Sequence, residues 1–198
     1  LFEMHKKLGA RIVPFSGYEM PVQYSGLIQE HTAVRNACGV FDVAHMGLLK
    51  IHGNEARKFL DYALTRNFSN LKPGKGAYTL LCRENGMTVD DLIVYCASEN
   101  EFYAVLNAGN KHKDLEYLQS LAKSFDLKLE ALFEDYALIA LQGPLAWKIL
   151  LENCQLQADF LDQPEPFSFW KDAKLFNCPV MIAVTGYTGE QGCEIAIP

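Results

Sequence analysis

Ala77 to Cys82 and Val89 to Cys96 read as two strand-like runs, and Arg83-Glu84-Asn85-Gly86 lies between them. Asn-Gly tolerates positive φ, so the segment predicts a β-hairpin. Glu101 to Leu106 continues the pattern as a third strand. This hairpin-rich block is what most restricts the fold. The rest of the chain interleaves helices and strands without a regular βαβ alternation, which disfavours a doubly wound parallel sheet and predicts an α+β fold with antiparallel sheets.

Around that block the periodicity predicts further elements. Phe2, Met4 and Leu8 form a short apolar stripe that Gly9 ends. Leu27 to Ala37 reads as a helix closed by Cys38-Gly39, and Gly47 to His52 as a strand. Asn54 is placed to cap a helix running to about Leu64, with Ala56, Phe59, Leu60 and Ala63 on one face. Pro73-Gly74 reads as a turn. Lys111 to Ser124 reads as a helix with Leu115, Leu118 and Leu121 inward. Lys128 to Phe133 and Tyr136 to Leu141 read as strands, and Gly143-Pro144 opens a helix to about Glu152. Gln163-Pro164-Glu165-Pro166 reads as a loop; Pro179 to Val184 and Cys193 to Ile197 are the last strands.

Composition narrows the function classes. Hydrophobic residues make up 49% of the 198 and charged residues 21%, enough apolar side chains for a real core. The net charge is −6 and no basic stripe is visible, which argues against nucleic acid. No apolar run approaches the ~20 residues that a membrane-spanning helix needs. The six Cys are scattered without a CxxC pair, so a metal site or disulfide framework is not indicated and buried free thiols of a reducing compartment are expected. Neither GxGxxG after a strand nor GxxxxGK[ST] is present, so a dinucleotide fold or P-loop is not supported. The chain opens on Leu1 already in a helical pattern and stops in the strand-like GCEIAIP, which reads as a piece of a longer protein whose last strand would be a bare sheet edge.

Five segments offer chemistry. In Gly86 to Tyr95 two adjacent carboxylates, Asp90 and Asp91, open an otherwise apolar strand. Strand alternation puts Asp91, Ile93 and Tyr95 on one face and Asp90, Leu92 and Val94 on the other. If the strand is central, neither Asp is cheap to bury: one can stay wet at the hairpin mouth, and the other needs a partner. Paired Asp beside Asn-Gly is also ordinary turn chemistry. In Val184 to Glu194, Gly186, Gly189 and Gly192 allow close approach of backbone, Tyr187 offers a ring and a hydroxyl, and Glu194 a two-point acceptor; a Gly-rich hairpin with surface acids reads equally well. In Phe41 to Gly47, His45 reads first as a satisfied core histidine, and Met46 as either core or a soft wall for a ring. Ser16 to Tyr24 reads as an aromatic-rich loop. Asn107 ends a strand and offers both donor and acceptor.

Taken in order, GYEMPVQYSG, EHTAVRNACGVFDVAHMG, GAYTLL, TVDDLIVY, VLNAGN, LQGP and TGYTGEQGCE cover essentially the whole chain. Together they resemble the glycine-cleavage aminomethyltransferase family, within the folate-binding superfamily. The resemblance implies transfer of a methylene from the aminomethyl-lipoyl arm of H-protein to tetrahydrofolate with release of ammonia, without a metal. It implies that Asp91, the second Asp of DDL, is the essential carboxylate, able to stabilise positive charge on the transferred carbon and to orient the folate amine. It implies pocket contacts from Tyr78, Ile93, Tyr95, Asn107 and Tyr187, an apolar wall from Met46, and an acceptor for the aminopterin edge at Glu194. It implies one folate-binding region over 1–198, made of two intertwined subdomains and incomplete at its C-terminal end, where family members continue into a barrel domain. The expected compartment is a bacterial cytoplasm or a mitochondrial matrix.

Pro14, Tyr18 and Ala44 depart from the family's usual Asp, Trp and Ser, and none removes a residue assigned above. A folate-dependent demethylase of the same superfamily, a folded fragment without activity of its own, and a non-enzymatic assembly factor are the alternatives. The last is disfavoured, because relatives serving iron–sulfur maturation carry Cys in a different glycine loop after a Lys, whereas Cys193 follows Gly192 with no Lys before it.

Overall fold

The computed structural model describes residues 1–155 and 165–198. In chain order the elements are α1 (Phe2–Lys7), β1 (Arg11–Phe15), β2 (Tyr18–Gln23), α2 (Leu27–Asn36), β3 (Gly39–Asp42), β4 (Gly47–His52), α3 (Ala56–Ala63), β5 (Lys75–Cys82), β6 (Thr88–Ser98), β7 (Glu101–Leu106), α4 (Lys111–Ala122), β8 (Lys128–Ala131), β9 (Ala137–Gln142), α5 (Ala146–Asn153), β10 (Cys154–Gln155), β11 (Phe169–Leu175), β12 (Cys178–Ala183) and β13 (Gly192–Ile197). The fold is α+β with antiparallel sheets, as the hairpin pattern predicts. Contacts divide it into two compact units. The first holds the described residues of Leu1–His45, Ala137–Pro166 and Asp172–Pro198; the second is Met46–Tyr136 with Phe167–Lys171.

In the first unit the β1–β2 hairpin accompanies a six-stranded sheet ordered β10-β11-β12-β13-β9-β3. Three expectations change here. Ser16 to Tyr24 is not a loop but mostly strand β2, because Tyr18–Gln23 can pair against Arg11–Phe15 across the Ser16-Gly17 turn. The last strand is not a sheet edge: β13 lies between β12 and β9, and its ladder to β9 runs from Gly192↔Gln142 to Ile197↔Ala137. The stripe on α1 also fails, since Met4 and Leu8 are exposed and the buried residue is His5. His5 Nε2 lies 2.7 Å from Asp42 Oδ2 and its Nδ1 2.9 Å from the Tyr24 hydroxyl, so a polar chain fastens the helix where an apolar contact was expected. Of the expected loop, Glu165 and Pro166 are outside strands and helices; Gln163 and Pro164 lie outside the described residues.

The second unit is built on a five-stranded sheet, β5-β6-β7-β4-β8. One face of it, read at every second residue, forms the core. Ala77 and Leu81 of β5, Leu92, Val94 and Cys96 of β6, Phe102, Ala104 and Leu106 of β7, and Leu49 and Ile51 of β4 all enter one core with Phe59 and Leu60 of α3 and Leu118 of α4. The buried Phe59, Leu60, Leu92 and Phe102 side chains each contribute roughly 1.5–3 kcal/mol by leaving water. The expected face of α3 is the buried one, but Asn54 is not its cap: its side-chain amide donates to Asp126 at 2.8 Å, and Glu55 occupies the cap position. All six cysteines are free, but only Cys96 and Cys193 are buried and Cys178 is exposed, so the expectation of buried thiols holds for two of them.

Candidate functional site

Strand β6 sits between β5 and β7, so its two faces meet different surroundings. The Asp90, Leu92, Val94 face enters the core and the Asp91, Ile93 face is half-exposed. Register brings Tyr78, Asp91 and Ile93 of this unit together on the open face. Tyr78 lies directly opposite Ile93, and Ile93 directly opposite Val105. Tyr78 is 50% exposed on this face. Gly47 opposes Leu106 at the end of the β4–β7 ladder, which places Met46 and Asn107 at the same end of their strands.

Asn107 ties this end to Asp91. Its side-chain amide nitrogen lies 2.9 Å from the Asp91 carbonyl oxygen, 3.3 Å from Asp91 Oδ1 and 3.0 Å from Asp90 Oδ1. With acceptors on all three sides, the nitrogen and not the oxygen of the amide must point inward. Among the described residues the Asp91 carboxylate thus has one long bond, and most of its acceptor capacity belongs to the open face.

Tyr95 shares that face by alternation, but it is only 2% exposed. Its ring stacks on Phe169 with centroids 5.0 Å apart and planes 19° apart. It also lies over Gly76, where a Cβ would come within 2.5 Å of the ring. Tyr95 therefore stands as a covered wall under the face rather than as an open contact.

Asp90 is the carboxylate that the core had to accommodate. It is 9% exposed, and its Oδ1 accepts from Asn107 and from the Asp91 N–H, the latter at 3.0 Å. Burial opposes its ionisation, but hydrogen bonds from Asp114, Asn107, the Asp91 N–H and Asn110 outweigh burial and hold it below the ordinary carboxylate range. Asp114 of α4 is 1% exposed. Burial first, and then the hydrogen bond to Asp90 and its charge, push the Asp114 carboxyl up to about 7, against the opposing charge of Lys113. Sequence reasoning missed Asp114. Its signal was spacing: Asp114 stands four residues before Leu118, on the inward stripe of α4 where an apolar residue belongs.

Tyr187 and Glu194 lie in the first unit. The segment between β12 and β13 is held by Gln142, another residue that sequence reasoning passed over except as part of LQGP. Gln142 is completely buried; its Nε2 donates to the Thr185 carbonyl at 3.1 Å and the Cys193 carbonyl at 3.3 Å, and its Oε1 accepts from Thr188 at 2.8 Å. Arg35 grips the same segment from α2, donating to the Thr188 carbonyl and to Glu190, both at 2.7 Å. Tyr187 projects from this pinned turn fully into solvent, beside a cavity of about 340 Å³ that Val34, Arg35 and Phe41 also line. Glu194 is half-buried on β13, where burial pushes its carboxyl above the ordinary range and a hydrogen bond from the Thr185 hydroxyl partly restores it. Burial likewise pushes the Cys193 thiol up to about 12, which makes it an inert core group.

An aminomethyltransferase of Thermosipho melanesiensis is 43% identical over 195 residues, 98% of this chain and 53% of the relative. One of Thermus thermophilus is 44% identical over 195 residues, 98% of this chain and 55% of the relative. The crystal structure of glycine cleavage system aminomethyltransferase T from Bartonella henselae superposes with a TM-score of 0.89 at 36% identity, covering 100% of this chain and 52% of that one. The chain thus spans about half the length of the relatives it matches. The family model described as the GCVT N-terminal domain matches residues 1–198, and the chain belongs to that family.

Proposed function

We propose that this chain is the folate-binding part of a tetrahydrofolate-dependent aminomethyltransferase of the glycine cleavage system. The full-length protein would pass the methylene of an aminomethyl group, carried on the lipoyl arm of H-protein, to tetrahydrofolate and release ammonia. One observation carries the reading within a chain of this family: Asp91 stands on the half-exposed face of β6, beside Ile93, with one long hydrogen bond from Asn107. The relatives are bacterial, which supports a bacterial cytoplasm as its compartment.

The residues present fit a folate. Ile93, Val105 and the half-exposed Tyr78 give an apolar and aromatic surface next to a carboxylate. Tetrahydrofolate supplies the accepting nitrogen. Asp91 accepts a hydrogen bond from that amine, keeps it oriented, takes up its proton as the new C–N bond forms, and stabilises the positive charge that grows on the carbon as the C–S bond breaks. Met46 and Ile93 exclude water around it. The roles of Tyr187 as a ring contact and Glu194 as the acceptor for the aminopterin edge rest on the family resemblance.

The test has two arms. Calorimetric titration of this chain with tetrahydrofolate is expected to show binding that Tyr187→Ala weakens by at least about tenfold, the value of losing about 1.4 kcal/mol. In the full-length protein, Asp91→Asn is expected to lower the transfer rate by about 10²–10⁴-fold with the fold intact. Unchanged turnover in Asp91→Asn would remove Asp91 from the mechanism, and transfer from a methylated amine but not from aminomethylated H-protein would favour a demethylase.

A further inference from the structure

Beneath Asp91, on the opposite side of β6, lies a second pair of acids that the proposed reaction does not use. Asp90 reaches the core side of the sheet and Asp114 meets it from α4. If both were ionised, Asp90 Oδ2 and both oxygens of Asp114 would be buried without a donor. The nearest cation to Asp114, Lys113 Nζ, is 3.9 Å from its Oδ1, beyond hydrogen-bond length, and donates instead to the Val89 carbonyl at 3.4 Å. Two carboxylates cannot both hold their charge in such a place, and a single proton between them supplies the missing donor.

We propose that Asp114 is a positioning residue of the open face: as a neutral acid it donates to Asp90, and Asp90 in turn fixes Asn107 and the Asp91 backbone, and so the direction of the Asp91 carboxylate. From Asp90 onward the path is continuous in the structure. Asp90 Oδ1 accepts from the Asn107 amide and from the Asp91 N–H, each at 3.0 Å, and the same Asn107 nitrogen touches the Asp91 carbonyl and carboxylate. With the proton in place, Asp90 carries the charge and Asn107 is held by a charge-assisted bond. With the proton lost, two buried anions repel, Asp90 is driven from Asn107, and Asp91 loses the contact that aims it. The charged groups facing Asp114 are Asp90 of β6 and Lys113 of its own helix; Asp91 lies one residue further along β6. The Asp114 carboxyl, pushed up to about 7, loses its proton close to neutrality, so the device is intact on the acid side of that value and fails on the alkaline side.

This inference rests on the transferase reading for its catalytic consequence but not for the proton itself, and the experiment keeps the two apart. Infrared spectra of the full-length protein below pH 7 are expected to show a protonated carboxylic acid band that Asp114→Asn removes. The amide of Asn can still donate to Asp90, so Asp114→Asn is expected to keep kcat within about threefold and to flatten the decline of rate above neutral pH. Asp114→Leu, which cannot donate, is expected to lose about tenfold or more in kcat with KM for tetrahydrofolate little changed. Absence of the acid band, or an alkaline limb identical in Asp114→Asn and the parent, overturns the proposal even if Asp114→Leu fails to fold. If the band is present and titrates but Asp91→Asn turns over normally, the transferase role of Asp91 falls while the shared proton stands.

Discussion

Glu194 and its hydroxyl partner show how a single donor sets the cost of a buried acid. Glu194 binds its proton more tightly folded than unfolded, because burial raises its pKa more than Thr185 lowers it. The folded chain therefore holds more protons than the unfolded one between the ordinary carboxylate value and the raised one. Its contribution to stability is fully present below the ordinary value and is lost as pH rises through the raised one. Thr185→Val removes the donor that limits this loss. The variant is expected to be less stable by about 1–2 kcal/mol on the alkaline side, where Glu194 is charged, and by less in acid, where it is neutral. Urea unfolding across pH measures the difference; a loss equal at every pH would mean that Thr185 acts through packing alone.

Elements with a clean two-residue alternation were legible in the sequence. Alternate side chains of β4, β6 and β7 enter the core, and the Asn85-Gly86 turn joins β5 to β6, so the Asp91 face follows from the period of two even though Leu48, Tyr95 and Tyr103 of the other face are also covered. Several of the failures share one physical cause: polar residues in the place of apolar ones. His5 anchors α1 through Asp42 and Tyr24 with no apolar stripe, and Asp114 takes an inward position on α4 because Asp90 waits across from it. Neither partner can be found from periodicity, since each depends on a contact distant in sequence. Gln142 belongs to the same class. It ends β9 yet joins Thr185 and Thr188 of the segment between β12 and β13 to Cys193 of β13, and Gly186 and Gly192 leave the room its amide occupies. Gln142→Leu keeps the volume and removes the bonds, so the part-buried Thr185 carbonyl and the buried Cys193 carbonyl lose a donor. A loss of about 1–3 kcal/mol is expected, with faster amide exchange confined to residues 185–194. Exchange unchanged there would show that Arg35 alone holds the segment.

At the scale of the molecule, the second unit is not closed by its own stretch of chain. Met46–Tyr136 is completed by Phe167–Lys171, which returns after a long excursion in sequence. The return is fastened along its length. Gly76 N–H donates to the Phe167 carbonyl at 2.7 Å, and Phe169 N–H to the Gly74 carbonyl at 2.8 Å. Lys171 Nζ meets Glu101 at 2.6 Å, and the Phe169 ring stacks on Tyr95 and leans on Tyr103. The sequence offered no sign of this, because a five-residue segment is too short to carry a period and its partners lie on β5, β6 and β7. The consequence is that the wall behind the Asp91 face depends on a residue far from it in the chain. Phe169→Ala opens a cavity over Tyr95, and a loss of about 3–5 kcal/mol is expected. The loss should appear in amide exchange along β5 to β7 and should exceed that of Phe176→Ala, an exposed aromatic of the same region of sequence. Equal effects from the two variants would mean that the returning segment merely rests on the sheet; a large and selective effect of Phe169→Ala would mean that it is part of the structure holding Tyr95, and through β6 the Asp91 strand, in place.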